Sequence, residues 1–264
     1  MNDAFYIAAT GMQAQQVSLE TIANNLTNMN TIGYKRGQVS FSDLVAGAPP
    51  VADAGGAASA PAPAPAALRM GAGVGIAGIA RRFDVGDMKQ TNAPLDVAIQ
   101  GDGFLEVSMP DGSRAYTRGG SLRVALDGQL VTQAGYPLAP GITIPSGAQN
   151  LVIQPDGRMQ LTVAGRAGVV EAGQLSLVRF ADPSKLAIQG DNLYRASDGS
   201  GEPIAGKAGE DGMGTVVQGT LESSNVKMID ELVGMMIAQR AYEASVKVVQ
   251  AADEMSSLAN GLRR

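Results

Sequence analysis

Residues 5–29, FYIAATGMQAQQVSLETIANNLTNM, place Phe5, Ala8, Met12, Gln15, Leu19, Ile22, Leu26 and Met29 at alternating steps of three and four. That spacing lines one face of an α-helix and, when sustained, makes a heptad seam. Asn, Gln, Thr and Glu20 fall on the remaining faces. The same rhythm returns from Asn225 onward in Met228, Leu232, Met235, Gln239, Tyr242, Val246 and Val249, then slips by one before Met255, Ala259 and Leu262. Two long amphipathic helices therefore bracket the chain. Ser224 or Asn225 can cap the second, and Asp230 and Glu231 near its start and Arg263-Arg264 at its end suit the helix dipole.

At ~1.5 Å per residue the two helices would run to roughly 40 Å and roughly 60 Å, longer than a small domain is wide. Their stripes are expected to pack on each other as a coiled coil and on helices of neighbouring copies, ordering as the copies assemble. The expected polymerisation seam is Phe5, Met12, Gln15, Leu19, Ile22 and Leu26 on the first helix, with Leu232, Met235, Gln239, Tyr242, Val246 and Val249 on the second. Gln15 and Gln239 interrupt it. Each is either a partly exposed turn or a buried polar layer that fixes register.

Residues 46–67, AGAPPVADAGGAASAPAPAPAA, carry almost no charge and no bulky anchor, and read as an extended, partly polyproline-like linker. From Val74 to Leu221 the pattern changes to short apolar segments punctuated by Asp-Gly pairs at Asp102, Asp111, Asp127, Asp156, Asp198 and Asp211. Such punctuation marks antiparallel hairpins, with the pairs suited to type I′ turns. Strands are expected over 98–107, 115–124, 130–144 and 175–180. The fold class is α+β: long N- and C-terminal helices packed as a coiled coil, with an inserted antiparallel all-β domain, a sandwich or irregular barrel. The division is 1–32 with 224–264 as the polymerising helical part, 33–70 as an extended connector, and 71–223 as the β-rich outer domain.

Composition narrows the function. Of 264 residues, 20 are basic and 25 acidic, a net charge of -5 that gives no reason to expect a nucleic acid. There is no histidine and no cysteine. His-based acid/base chemistry, Ser/His and Cys/His nucleophiles, disulfides and the usual zinc sites go with them. Carboxylate or lysine chemistry stays open. No apolar run approaches the ~20 residues that cross a bilayer, so no membrane insertion is expected. The first residues carry Asp3 and no basic stretch, so export is expected to proceed without a cleaved signal peptide. Gly73-Val74-Gly75-Ile76-Ala77-Gly78 matches G-x-G-x-x-G, with Asp96 near the place of a ribose-binding acid. It follows a Pro/Ala tract, however, and Pro94 interrupts what would be the helix, so a Gly-rich entry into the β domain accounts for it better than a dinucleotide site. No calcium-loop pattern accompanies the Asp-Gly pairs. Lys35-Arg36 could be a small anion site, but a solvated loop exit or an inter-subunit contact explains it more simply. No cofactor or metal is expected.

Ala8-Ala9-Thr10-Gly11-Met12, Ala23-Asn24-Asn25-Leu26-Thr27-Asn28 and Thr31-Ile32-Gly33-Tyr34-Lys35-Arg36 resemble, in order and spacing, the N-terminal signature of bacterial flagellar rod and hook proteins. Asp96 through Gly101, Gly103 and Phe104, and Tyr116-Thr117-Arg118-Gly119-Gly120-Ser121, are similar to two further boxes of that family. Leu105 and Leu122 stand where the family boxes carry Phe. Ser223-Ser224-Asn225-Val226, Leu232-Val233 and Ala238-Gln239-Arg240-Ala241-Tyr242-Glu243 resemble its C-terminal segment. The resemblance is nearest to distal-rod members, with proximal-rod or hook paralogues as the alternative. It implies export through the flagellar type III apparatus and helical self-assembly into a hollow, torque-transmitting shaft. It also implies partners: copies of itself, proximal rod proteins, hook protein, and the peptidoglycan and outer-membrane ring proteins. The tract at 46–67 would brace adjacent subunits. Two readings of other classes are a secreted β module that binds a ligand on a helical stalk and a carboxylate-based hydrolase.

Overall fold

The computed structural model describes residues 2–45, 71–164 and 168–261, so the tract at 46–67 lies outside the described residues. The architecture is α+β: helix α1, Asn2–Thr27, opens the chain, helix α2, Met228–Gly261, closes it, and the strands lie between. No helix is long and apolar enough to cross a membrane among the described residues. The chain divides into two compact units, one of Met1–Asn24, Gln38–Ile79 and Ile229–Arg264, the other of Asn25–Gly37 and Ala80–Met228.

In the first unit α1 and α2 lie antiparallel. A Cβ built on Gly11 would stand 3.7 Å from Ser245 Oγ, and one on Gly234 3.5 Å from Ile22 Cδ1, so α2 runs backward as α1 runs forward. Small residues sit where the helices approach, as close packing of two backbones demands. The same unit holds a two-stranded ribbon of β1, Gly37–Val45, and β2, Gly71–Arg81. α2 has 34 residues, about 51 Å at ~1.5 Å per residue. It is shorter than its periodicity suggests because Asn225 does not cap it; that side chain accepts from Arg36 N at 2.7 Å and donates to Arg82 O at 2.8 Å instead.

The second unit is antiparallel β structure, built from a three-stranded, a four-stranded and a seven-stranded sheet with a short two-stranded ribbon. Its core gathers Val97, Ile99, Leu105, Val107, Met159 and Leu177, each at most 1% exposed. The scarce aromatics are concentrated in a second cluster, where Phe83, Phe104, Tyr116, Phe180 and Tyr194 meet edge to face with centroids 4.8 to 6.2 Å apart. Such pairs stabilise beyond their buried area.

Several strands are shorter than the apolar runs imply. The run at 98–107 divides into Asp96–Gln100 and Phe104–Ser108, because Gly101 and Gly103 adopt φ of 106° and 142° and turn the chain. The run at 115–124 divides at Arg118 into Arg114–Thr117 and Gly119–Val124. Gly119 takes φ 108°, and a Cβ there would lie 2.6 Å from Val97 O, so only glycine fits. Most of the Asp-Gly pairs are turns of a different kind from type I′. At Asp111, Asp127 and Asp156 only the following glycine is left-handed, and each carboxylate accepts the backbone N–H two residues on, at 2.9 to 3.0 Å. Asp211-Gly212 alone of the six has both residues at positive φ.

Candidate functional site

The strongest chemistry of the second unit is a buried charged junction. Lys35, Arg118 and Glu222 have side chains 0%, 3% and 2% exposed. Lys35 Nζ donates to Glu222 Oε1 at 2.6 Å and to Asp84 O at 2.7 Å. Arg118 Nε donates to Glu222 Oε2 at 3.3 Å, and its Nη1 to the carbonyls of Gly101 and Gly103 at 2.8 and 2.9 Å. Those carbonyls point to one guanidinium because the two glycines kink the chain around it. Gly86 N also donates to Glu222 Oε1, at 2.9 Å. The glycine is required where a Cβ would run into Ser223 O.

Asn25 and Asn225 flank this junction. Asn25 Nδ2 donates to Gly37 O at 2.9 Å while its Oδ1 accepts from Gly37 N at 2.8 Å and from the Tyr34 hydroxyl at 3.2 Å. A single side chain thus satisfies both polar groups of a residue as a neighbouring strand would. Arg81 Nη1 donates to Tyr34 Oη and Lys35 O at 2.7 and 2.8 Å, with its guanidinium 4.7 Å over the tyrosine ring. Gly33, at φ 71°, sends its N–H to Glu222 O at 2.8 Å.

Burial lowers the Lys35 pKa from 10.5; attraction to Glu222 and its hydrogen bond oppose that, and the Arg118 charge adds to it. Desolvation also holds the Tyr194 hydroxyl up at about 12. Every group of the triad is spent on other protein atoms and closed to solvent, so the arrangement holds backbone in place and presents nothing to a substrate. Among the described residues no three acidic side chains gather as a metal site would need.

The structure thus brings Asn25, Gly33, Tyr34, Lys35, Arg36, Gly101, Gly103 and Phe104 into one region of the second unit. Asn24 and Arg240 are instead exposed on the helices. Lys35 is the reverse of a solvated loop exit: its ammonium is fully enclosed because a carboxylate and a carbonyl meet it there. Sequence reasoning passed over Glu222, Arg81 and the inward role of Arg118. No local pattern marks them, since Glu222 lies 187 residues from Lys35 and 104 from Arg118.

Within one copy, most of the enclosed helix positions lie one residue before the expected line between copies, although Ala8, on that line, is enclosed as well. Ala14, Thr21, Ala238 and Ala252 are buried, whereas Phe5, Met12, Gln15, Leu19, Ile22, Leu26, Met235, Val246 and Val249 are half-buried, and Leu232, Gln239 and Tyr242 are exposed. One residue is a rotation of about 100°. Small residues are therefore the enclosed ones, while most of the large ones, Ile22 against Gly234 among them, flank them half-buried.

Comparison with known proteins adds to this geometry. Residues 5–35 match the family described as flagella basal body rod protein, 98–161 the flagellar hook protein FlgE/F/G D1 domain, and 217–262 the flagellar basal body rod FlgEFG protein C-terminal family. The chain is 41% identical to the flagellar basal-body rod protein FlgG of Borreliella burgdorferi over 100% of both chains. It is 38% identical to FlgG of Caulobacter vibrioides over 98% of this chain and 99% of that one. Against FlgF of the same organism it is 32% identical, over 97% of this chain and 96% of the other.

Glu222→Gln leaves Lys35 and Arg118 facing a neutral amide, and should destabilise the second unit by about 3–5 kcal/mol in urea unfolding, the usual cost of stranding a buried charge. Lys35→Met tests the lowered pKa. Between the folded value and 10.5 the unfolded chain holds the proton that the folded chain has lost, so stability contributed by Lys35 rises with pH. Unfolding titrations from about pH 7 to about pH 10 should show the unmodified chain gaining on Lys35→Met. A flat or shrinking difference contradicts it.

Proposed function

Because the chain belongs to the family of flagellar basal-body rod proteins, we propose that it forms the distal rod, polymerising into a rigid hollow shaft that carries torque to the hook. It is a structural subunit of the basal body, not an enzyme, and it assembles with other rod and hook components. The greater likeness to Caulobacter FlgG than to FlgF supports the distal over the proximal position.

The observation that carries the polymerising role is the state of the helices in a single copy. Tyr6, Ile229 and Leu258 are 57%, 75% and 68% exposed on elements whose inward line is already occupied. Apolar surface of this extent marks an interaction site. In the shaft, the helical ends, 1–32 with 224–264, pack as coiled coils into an inner tube, and the β-rich part, 71–223, forms a sandwich or irregular barrel outside it. The connector at 33–70, through its tract at 46–67, braces adjacent copies. The shaft crosses the periplasm through the peptidoglycan and outer-membrane rings, its subunits delivered by the flagellar export apparatus without signal cleavage.

Basal bodies from a strain lacking this protein should end short of the hook, and the strain should not swim; a null strain that still builds hooks contradicts the assignment. Tyr242→Asp should shift the stability of the isolated chain by no more than about 1 kcal/mol, as a partly exposed site, yet fail to restore swimming.

A further inference from the structure

A cleft of about 440 Å³ in the β-rich unit is lined by side chains that the charged junction does not use. Strand Gly119–Val124 supplies Ser121, the turn after strand Leu130–Thr132 supplies Gln133 and Tyr136, and the hairpin turn before strand Leu193–Arg195 supplies Asp191 and Asn192. Ile32, 46% exposed, lines it from the segment that follows α1. These pieces are held in place. Asn192 Nδ2 donates to Ile32 O at 2.7 Å and so ties two of them together. Thr132 N donates to Tyr136 O at 2.8 Å, and Tyr136 N to Thr132 Oγ1 at 3.2 Å, which closes the turn between. Asp191 and Asn192 are successive left-handed residues, at φ 49° and 56°, and set the hairpin turn. Groups fixed in advance lose little freedom when a ligand arrives.

Several polar groups of the cleft are unspent. Among the described residues the Ser121 and Tyr136 hydroxyls, the Gln133 amide and the Asp191 carboxylate meet no protein partner. The rest of the lining decides what they can meet. No lysine or arginine lines the cleft, so a phosphate, a nucleotide or another anion finds no counter-charge there and is repelled by Asp191. One carboxylate falls short of a metal site. A wholly apolar ligand would strand the free hydroxyls and amide. A peptide adding as a strand finds no open ladder: Gly119–Val124 is paired on both edges, and Leu130 and Thr132 spend their N–H groups on Ile142 O and Tyr136 O. The ligand class that fits is neutral and rich in hydroxyls, with apolar faces of its own for Ile32 and the half-buried Tyr136 ring.

We propose that this cleft binds a neutral oligosaccharide, whose hydroxyls hydrogen-bond to Gln133 and Asp191 and whose C–H face lies on Tyr136. The cleft belongs to the β-rich unit alone, so the proposal does not depend on the reading of the chain as a self-assembling subunit.

The test is a titration of the isotope-labelled full chain, unassembled, with the N-acetylglucosamine trimer and separately with maltotriose, followed through backbone amide resonances. The expected result is a saturable shift at low millimolar sugar, confined to residues 119–122, 132–136 and 191–193. Either sugar giving it supports the proposal, and the pair distinguishes an acetylated amino-sugar strand from a glucan as the source. Gln133→Ala, on an exposed turn, should weaken binding at least about fivefold. Asp191→Asn keeps a residue that tolerates the left-handed backbone and exchanges the carboxylate for a weaker acceptor, so it should weaken binding by a similar factor. Both variants should keep the urea midpoint of the unmodified chain. Shifts with neither sugar, shifts confined to other residues, or binding equally strong in both variants would overturn the proposal and leave the family assignment standing.

Discussion

A carboxylate held between two cations, all three withdrawn from water, is the constraint from which the β-rich unit takes its order. Removing an ion from water costs several kcal/mol even after relaxation, and attraction offsets this only where every remaining polar atom is met. Lys35, Arg118 and Glu222 meet that condition because backbone carbonyls of Asp84, Gly101 and Gly103 complete their shells. The glycine conformations and the kinked strands follow from it. Residues 33–37 and 221–225, which lead out of α1 and into α2, are fixed side by side by the same contacts.

The two units solve the burial problem differently. The β-rich unit closes over a core with residues such as Val97, Ile99 and Leu161 wholly enclosed. In the helical unit the residues facing inward are mostly alanine, glycine, serine and threonine, which brings backbones close but buries little apolar area. The large residues lie about 100° away on the flanks. That arrangement suits a surface completed by other copies, because hydrophobic stabilisation follows the apolar area removed from water.

Periodicity made the helices legible: residues 5–29 announce α1, observed at Asn2–Thr27, and the rhythm from Asn225 announces α2. It did not reveal which line faces inward, since the three-and-four spacing fits two lines one residue apart and favours the bulkier one. Asp-Gly pairs located turns, but their geometry depends on side-chain hydrogen bonds that composition does not express. Breaks at Gly101 and Arg118 were hidden because they serve a cation bound from another part of the chain. Lys35 stood out in a motif, yet its burial depends on Glu222, which no local signal distinguishes from an ordinary surface glutamate.

Self-sufficiency of one unit and dependence of the other on its neighbours is the central claim, and amide hydrogen exchange in free and assembled protein measures it directly. Protection over residues 5–24 and 229–258 should rise by about a hundredfold or more on assembly, while that of the strands from 96 to 218 stays the same. Helices already protected to the same degree in the free chain would contradict the account.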